Sequence, residues 1–287
     1  MPVLMRRVLA EPCAVIGGLI MLLVLAAAVF APYLAPHDPS EQDLLNTLLP
    51  PAWATGGDAA FPLGTDGLGR CIFSRLLYGA RVAMIVAVGA SAGAALLGAS
   101  LALVSGYFGG RIDWLIARAV DVWMSFPPVV LSLILMVGFG AGLGNVILAI
   151  IVVDWTRFCR VVRSEVLVVM KRDYIPAARL LGFSHTRMIL REVLPAVTPL
   201  LLTLVSIEMG IAVIVEAILS FVGLSVEPNM PAWGVMIADA RETMYQAEWG
   251  LIVPILGIFV TVLGANLLGD GLRRSLDPRL FRRGATA

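Results

Sequence analysis

Six apolar stretches constrain this chain more than any other feature of its sequence. Each is about 20 residues long, the length at which a helix crosses the hydrocarbon core of a bilayer. They lie at residues 14–34, 82–104, 119–139, 143–163, 196–219 and 251–268. Only 14% of the residues are charged, against about 25% in a typical soluble domain. The sequence therefore predicts an all-α membrane protein with six transmembrane helices.

Basic residues are distributed unevenly among the segments that connect these stretches. If the N-terminus is cytoplasmic, 17 of the 21 Lys and Arg residues lie on the cytoplasmic side. The other four are Arg70, Arg75, Arg81 and Arg241. Since cytoplasmic loops carry the excess of positive charge, we predict that both termini are cytoplasmic and that the long segments 35–81 and 220–250 face outward.

The first apolar stretch shares one feature with a secretory signal peptide, because Arg6 and Arg7 precede it. It is longer than the core of a signal peptide, which has roughly 7–15 residues. No clear small-residue cleavage site ends it before Pro32. We therefore expect an uncleaved first transmembrane helix.

Glycine and proline residues mark two of the later stretches. Gly89 and Gly93 form a Gly-x-x-x-Gly step, with Gly98 further along, and small residues let helix backbones approach closely in lipid. A second interpretation is that glycine is simply frequent in transmembrane helices. Pro127 and Pro128 are expected to kink the third helix or to delay its start.

Motifs for catalysis and for ligand binding are absent from the sequence. Lys171 is the only lysine, so no P-loop exists to hold the phosphates of ATP. His37 and His185 are isolated, and no His-Glu-x-x-His or Cys-x-x-Cys spacing occurs. The formal net charge is +1, which gives no field that would attract nucleic acid. We expect no enzymatic activity, no cofactor, no metal site and no nucleic-acid partner.

Residues 172–195 form a polar, basic segment between the fourth and fifth apolar stretches. Asp173 lies at the start of a predicted short helix, where a carboxylate suits the helix dipole. Gly182 can end this helix, because glycine adopts a left-handed cap without strain. Ser184 can N-cap a second short helix over 185–193. Pro195 then suits the first turn of the next span.

Two interpretations of this segment stay open from its residues alone. Arg179, Arg187 and Arg191 lie on its outer side, so it could be an amphipathic connector that rests on anionic lipid. Alternatively, it is a docking segment for another protein, which would explain so regular a helix–glycine–helix insert in a loop.

The segment resembles the cytoplasmic loop of the permease subunits of ATP-binding-cassette importers. The motif of that loop is Glu-Ala-Ala, a glycine after three further residues, and then Ile-x-Leu-Pro. Here Pro176 stands in place of the acid. The matching residues are Ala177, Ala178, Gly182, Leu194 and Pro195. The resemblance implies a coupling helix that inserts into a cleft of an ATPase subunit, with Ser184 and Arg187 as further coupling residues.

Two more stretches are similar to the dipeptide, oligopeptide and nickel group of these permeases, and to its second, C-type subunit. They are residues 62–81, in which Cys71 replaces the usual acid, and residues 215–241 together with 266–280. The similarity extends from about residue 12 to residue 283.

This resemblance implies the permease subunit of an ATP-driven importer in a bacterial inner membrane. Residues 1–81 would form the N-terminal span and external loop, and residues 82–283 the transmembrane permease core. The implied partners are a homologous second permease, two ATP-binding subunits and an external solute-binding protein. The expected substrate is a small solute, in the first place a peptide, with nickel as another possibility. The alternative is an ion-gradient-driven secondary transporter, although such proteins usually have more spans and an internal repeat.

Charged residues inside an apolar stretch require a cavity, a partner or a helix end. We expect Asp121 to pair with Arg118, and Asp154 to pair with Arg157.

Glu208 and Glu216 lie eight residues apart in the fifth stretch, close to one face of the helix. For Glu208, two roles stay open: lining the translocation path or forming an interhelical hydrogen bond. For Glu216 we favour a structural role, with the path as the alternative.

Overall fold

A computed structural model describes residues 8–227 and 230–276, and the regular structure in these residues is helical. The helices are α1 (Pro12–Leu34), α2 (Ile72–Phe108), α3 (Gly110–Trp123), α4 (Pro128–Phe139), α5 (Leu143–Val169), α6 (Tyr174–Leu180), α7 (His185–Met188), α8 (Leu194–Phe221), α9 (Trp233–Ala240) and α10 (Trp249–Leu276). A π-helical turn, Ile189–Val193, joins α7 to α8. Arg6, Arg7 and residues 277–287 lie outside the described residues.

Helix α2 is the central element of the fold. Its 37 residues extend over about 55 Å at 1.5 Å per residue, and it packs against α1, α5 and α8. It begins at Ile72, ten residues before the predicted start at 82, so position 81 lies inside the helix. The predicted stretch began only after Arg81, whereas the helix also includes Arg75, which is buried and paired with acids.

A row of glycines brings α2 close to α5. A Cβ atom on Gly98 would lie 2.4 Å from the carbonyl oxygen of Trp155 and 2.5 Å from Cβ of Phe158. On Gly93 it would lie 2.2 Å from the side chain of Ile151. All three distances are shorter than any van der Waals contact. Because the neighbours of Gly98 include backbone atoms, this glycine is required for the observed helix separation. The predicted close approach at the small residues is confirmed.

Within residues 8–227 and 230–276, four helical segments are long and apolar enough to cross a membrane: Pro12–Leu34, Ile72–Phe108, His185–Phe221 and Trp249–Leu276. The pair α3 and α4 is a fifth candidate if it counts as one span, and it is bent by 87° at a short break. The break lies at residues 124–127, directly before Pro128, so the predicted proline kink is confirmed. The span predicted over 119–139 is thereby divided between two helices, α3 and α4, because the backbone leaves the helix at this break.

Four charged residues join the segment before α2 to helix α9. Asp66 accepts hydrogen bonds from Arg70 Nε at 2.7 Å and from Nη1 of Arg75. Asp239 of α9 accepts from Arg70 Nη2 at 2.7 Å and from Arg75 Nη2 at 3.2 Å. Two guanidinium groups and two carboxylates balance in charge, which allows Arg75 to be almost completely buried. We call these four residues the clamp.

Trp233, the first residue of α9, packs between two glycines next to the clamp. It lies against Gly79 of α2 and Gly257 of α10, where added Cβ atoms would approach its ring to 2.5 Å and 3.1 Å. Its Nε1 donates a hydrogen bond to the carbonyl oxygen of Leu76 at 3.0 Å. The clamp and Trp233 together hold α9 against the first turns of α2.

Replacement of Gly98 by leucine should destabilise the protein by forcing α2 and α5 apart. Overpacking of this kind costs about 1–3 kcal/mol, and the neighbours here include backbone atoms that cannot move aside. Thermal unfolding of the purified protein in detergent measures the effect. The control is Gly138→Ala in α4, where a Cβ would contact nothing within 4 Å. An equal melting temperature for Gly98→Leu and wild type would contradict the packing argument.

The clamp should weaken at low pH. Burial raises the pKa of the Asp66 carboxyl, but Arg75, Arg70 and two backbone N–H donors outweigh burial, so its pKa lies below the ordinary 3.8. A lowered pKa means that the stabilisation is complete above the unfolded-state value of about 3.9 and is lost as the pH falls through the folded-state value. The difference in melting temperature between wild type and Asp66→Asn should therefore shrink below about pH 4. A difference that stays constant down to pH 2 would show that the ion pairs do not stabilise the fold.

Candidate functional site

The basic segment 172–195 lies at the end of the molecule opposite the clamp, beside the last turn of α2. The Tyr107 hydroxyl of α2 lies 2.8 Å from Nδ1 of His185. Apolar side chains attach the segment to the ends of α2 and α5. The buried residues of this contact are Ala102, Leu103, Val162, Val166, Val169, Ile175, Ala178, Met188 and Val193.

Gly182 ends α6 in the left-handed conformation, with φ +79°. The N–H of Gly182 donates to the carbonyl oxygen of Arg179, and that of Phe183 donates to the carbonyl oxygen of Ala178. These two hydrogen bonds form a Schellman motif, which fixes the direction of the chain after the helix. The oxygen of Ser184 then accepts from the N–H of Arg187 at 3.4 Å and begins α7.

The predicted second short helix over 185–193 does not end before the next span. Helix α7, the π-helical turn and α8 form one continuous helix, His185–Phe221. In the wide turn the N–H of Leu194 bonds to the carbonyl oxygen of Ile189, five residues earlier. Pro195 follows directly, and its ring would clash with the carbonyl of a regular α-helical turn. The wide turn therefore accommodates the proline without breaking the helix.

Two leucines of this segment were missed in the sequence analysis. Leu180 and Leu181 are 90% and 78% exposed at the end of α6, away from the contact with α2 and α5. Ala177 and Arg187 are exposed on the same segment. The sequence does contain a signal for these side chains. Two adjacent leucines directly precede Gly182, and an apolar pair has no structural role in a polar loop.

Of the two departures from the family pattern, Pro176 has a structural explanation and Cys71 has none. Pro176 is the third residue of α6, where the backbone N–H has no partner within the helix, so proline is tolerated. Cys71 is the N-cap of α2 and makes no side-chain hydrogen bond there. An acid at an N-cap would accept from the first N–H groups of the helix, and Cys71 does not supply this interaction.

The predicted charge pairs are present, and Arg157 has a second partner. Arg118 Nη2 lies 2.6 Å from Asp121, and Arg157 Nη2 lies 3.5 Å from Asp154. Arg157 Nη1 also lies 3.0 Å from Oε2 of Glu208 on α8. Glu208 is 1% exposed. Of the two roles left open for this residue, the structure contains the hydrogen bond between helices.

Two further arginines of α5 pair with α3. Arg160 Nη2 lies 2.7 Å from Asp121, and the Arg163 guanidinium donates two hydrogen bonds to Asp113. Because three arginines at intervals of three residues each contact an acid of another helix, α5 carries more charge than an isolated membrane span tolerates. These charges distinguish α5 from the four apolar helical segments described above.

Glu216 links the last turn of α8 to the segment that follows it by hydrogen bonds. Its Oε1 accepts hydrogen bonds from the hydroxyls of Ser220 and Ser225. The carbonyl oxygen of Ser225 in turn accepts from the N–H of Gly142 at 2.7 Å, directly before α5. The structure therefore places Glu216 in a buried contact that joins α8 to the start of α5, as favoured from the sequence.

Removal of Arg157 should destabilise the protein far more than removal of Glu208. Arg157→Gln leaves the buried Asp154 and Glu208 without a cation, and an unsatisfied buried polar group costs about 1–3 kcal/mol. Glu208→Gln leaves Arg157 opposite Asp154, with one charge of each sign. Thermal unfolding in detergent measures both variants. Arg118→Gln is the control, because exposed ion pairs contribute about 0–1 kcal/mol. Equal effects of Arg157→Gln and Glu208→Gln would refute this charge balance.

Comparison with protein families gives two matches. The family described as "Binding-protein-dependent transport system inner membrane component" matches residues 94–282. The family described as "N-terminal TM domain of oligopeptide transport permease C" matches residues 3–51.

Similar proteins extend over almost the whole chain. The di/tripeptide transport system permease protein DppC of Pseudomonas aeruginosa is 39% identical, over 92% of this chain and 88% of its own. The glutathione transport system permease protein GsiD of Pectobacterium atrosepticum is 38% identical, over 96% and 90%. The probable D,D-dipeptide transport system permease protein DdpC of Escherichia coli is 36% identical, over 94% and 88%.

Proposed function

Because this chain belongs to the family of inner-membrane components of binding-protein-dependent transport systems, we propose that it is the permease subunit of a peptide importer. Family membership makes it a membrane component of an ATP-binding-cassette transporter. The alternative of an ion-gradient-driven secondary transporter is therefore wrong.

A short peptide is the substrate that we propose. The three relatives described above are named for di- and tripeptides, for glutathione and for D,D-dipeptides. Glutathione is itself a short peptide, so the three names share one class of molecule. None of these three is named for nickel, and we do not extend the proposal to metal ions.

We propose that the chain crosses the membrane six times. One of these spans is α5, although its charged residues make its composition unlike that of the other spans. Its 27 residues give a length of about 40 Å, which exceeds the hydrocarbon thickness of about 30 Å. Its arginines are paired with acids of α3 and α8, which lowers the cost of carrying charge through lipid. Together with the charge distribution, six crossings put both termini in the cytoplasm and the clamp outside. Residues 1–81 and 82–283 remain our division into an N-terminal unit and a permease core.

The proposed partners are a homologous second permease, two ATP-binding subunits and an external solute-binding protein. ATP hydrolysis would take place on the ATP-binding subunits, since this chain has no P-loop. Segment 172–195 is the surface that we propose for the contact with one of them. Its exposed leucines would enter an apolar groove, and its basic residues Arg172, Arg179, Arg187 and Arg191 would face acids at the rim of that groove.

The observation that carries this proposal is the continuity of the helix His185–Phe221. A segment that docks on a moving partner must transmit the movement into the membrane. Here Arg187 of the docking segment and Glu208 of the membrane span belong to one helix, and the Schellman motif at Gly182 joins α6 rigidly to its start. Closure of the ATPase subunits would therefore move α8 as a rigid body, which is a recognised route for switching between two packings.

The double substitution Leu180→Asp and Leu181→Asp should abolish binding of the ATPase subunits. Both side chains are exposed in the isolated chain, so folding and membrane insertion should be unaffected, while two carboxylates would oppose the apolar groove. Co-purification of the ATPase subunits from membranes is the measurement, and ATP-driven peptide uptake should be lost in parallel.

The matched control is the exposed pair Leu44 and Leu45 at the opposite end of the molecule. Their substitution by aspartate adds the same charges and removes the same apolar surface, and the ATPase subunits should still co-purify. Retention of these subunits by the Leu180→Asp, Leu181→Asp variant would disprove the docking role of the segment.

A further inference from the structure

A cavity of about 500 Å³ opens on the clamp side of the molecule. Its walls come from four parts of the chain: the segment after α1, the first turns of α2, the start of α5 and the segment before α9. The lining side chains used below are Asp38, Ser40, Tyr78, Arg81, Ile85 and Met230. Its volume lies within the range of about 300–1,000 Å³ that is typical of small-molecule sites.

One face of α2 supplies most of the wall. Tyr78, Arg81, Val82 and Ile85 are separated by three, four and seven residues, so they lie on the same side of the helix. Tyr78 and Arg81 contribute a hydroxyl and a guanidinium group, while Val82 and Ile85 contribute apolar surface. Leu143, Met230 and Pro231 complete the apolar part.

The polar part of the wall carries one charge of each sign. Arg81 is exposed and forms no ion pair with any acid in the described ranges 8–227 and 230–276. Asp38 accepts hydrogen bonds from the hydroxyl of Ser40 and, at 2.8 Å, from its backbone N–H. These two donors hold the pKa of Asp38 below the ordinary value of 3.8, so Asp38 is an anion at neutral pH.

We propose that this cavity binds a small zwitterion, a dipeptide with both ends free. Arg81 would bind the carboxylate of the peptide, Asp38 would attract its ammonium group, and the apolar wall would receive a side chain. A guanidinium fork matches a carboxylate in geometry as well as in charge. The proposal deepens the proposed function and rests on it, because the peptide class comes from there.

The position of the cavity suits the first contact of a substrate with the permease. It adjoins α9 through Pro231. Trp233, two residues further on, packs against Gly79 of α2, so the part of the wall formed by α2 and Pro231 is held in place before a ligand arrives. Preorganisation of this kind reduces the entropy that binding must overcome.

The experiment measures protection of a cysteine placed inside the cavity. Ile85→Cys in a Cys13→Ser background gives one accessible thiol, since Cys71 and Cys159 are buried. The complete transporter in detergent is labelled with a charged maleimide while alanyl-alanine is titrated. Alanyl-alanine should slow labelling, and alanyl-alaninamide, which lacks the carboxylate, should not. Arg81→Gln should raise the half-protecting concentration about tenfold or more, because a charge-assisted hydrogen bond is lost.

Arg241→Gln is the matched control, since it removes an exposed arginine near the end of α9 that does not line the cavity. It should leave protection unchanged. ATP-driven uptake of alanyl-alanine by the wild-type transporter in proteoliposomes is measured in parallel. Uptake without protection would overturn the cavity assignment and leave the proposed function intact. If neither uptake nor protection occurs, both proposals fail for this peptide.

A lipid headgroup is the other source of an anion for Arg81. The labelling is therefore repeated in nanodiscs of phosphatidylcholine alone and with phosphatidylglycerol added. Protection by alanyl-alanine in both membranes supports a peptide site. Protection by phosphatidylglycerol that the peptide does not increase would overturn it in favour of a lipid site.

Discussion

The close approach of α2 and α5 is the contact on which the rest of this structure depends. Gly98 allows the two backbones to meet without an intervening side chain, and Gly93 leaves room for the side chain of Ile151. In lipid such packing cannot rely on the hydrophobic effect, because lipid tails are as apolar as leucine, so contact area between helices supplies the stabilisation. With α5 fixed against α2, its arginines come within reach of the acids of α3 and α8. The ion pairs between α5 and the helices α3 and α8 therefore depend on the apolar packing of α5 against α2.

Helix α2 also connects the two ends of the molecule. Arg75, in its first turn, belongs to the clamp, and Tyr107, in its last turn, contacts the basic segment at His185. The proposed peptide cavity is formed on one end of this helix and the proposed ATPase contact lies against the other. Both ends belong to one continuous helix, Ile72–Phe108.

Local features of the chain were predictable from the sequence, whereas long-range pairing was not. Gly182, Ser184 and the Arg118–Asp121 pair depend on residues three or four positions apart, which the sequence displays directly. Glu208 finds Arg157 across 51 positions, and no periodicity reveals such a partner. The sequence likewise does not reveal the acids that pair with the arginines of α5. Judged by composition alone, α5 was therefore the least clear of the six predicted spans. The early start of α2 was missed because burial of Arg75 depends on Asp239, which lies 164 positions away.

The π-helical turn between α7 and α8 has a consequence for how the chain can change. One additional residue within a helical turn rotates everything beyond it by about 100° about the axis, the angle of one residue in an α-helix. Arg187 therefore faces about 100° away from the direction that a regular α-helix would give it relative to Glu208, while both still belong to one continuous rod. Deletion of one residue within Ile189–Val193 would restore a regular helix and turn the surface around Arg187 by the same angle relative to the buried contacts beyond it.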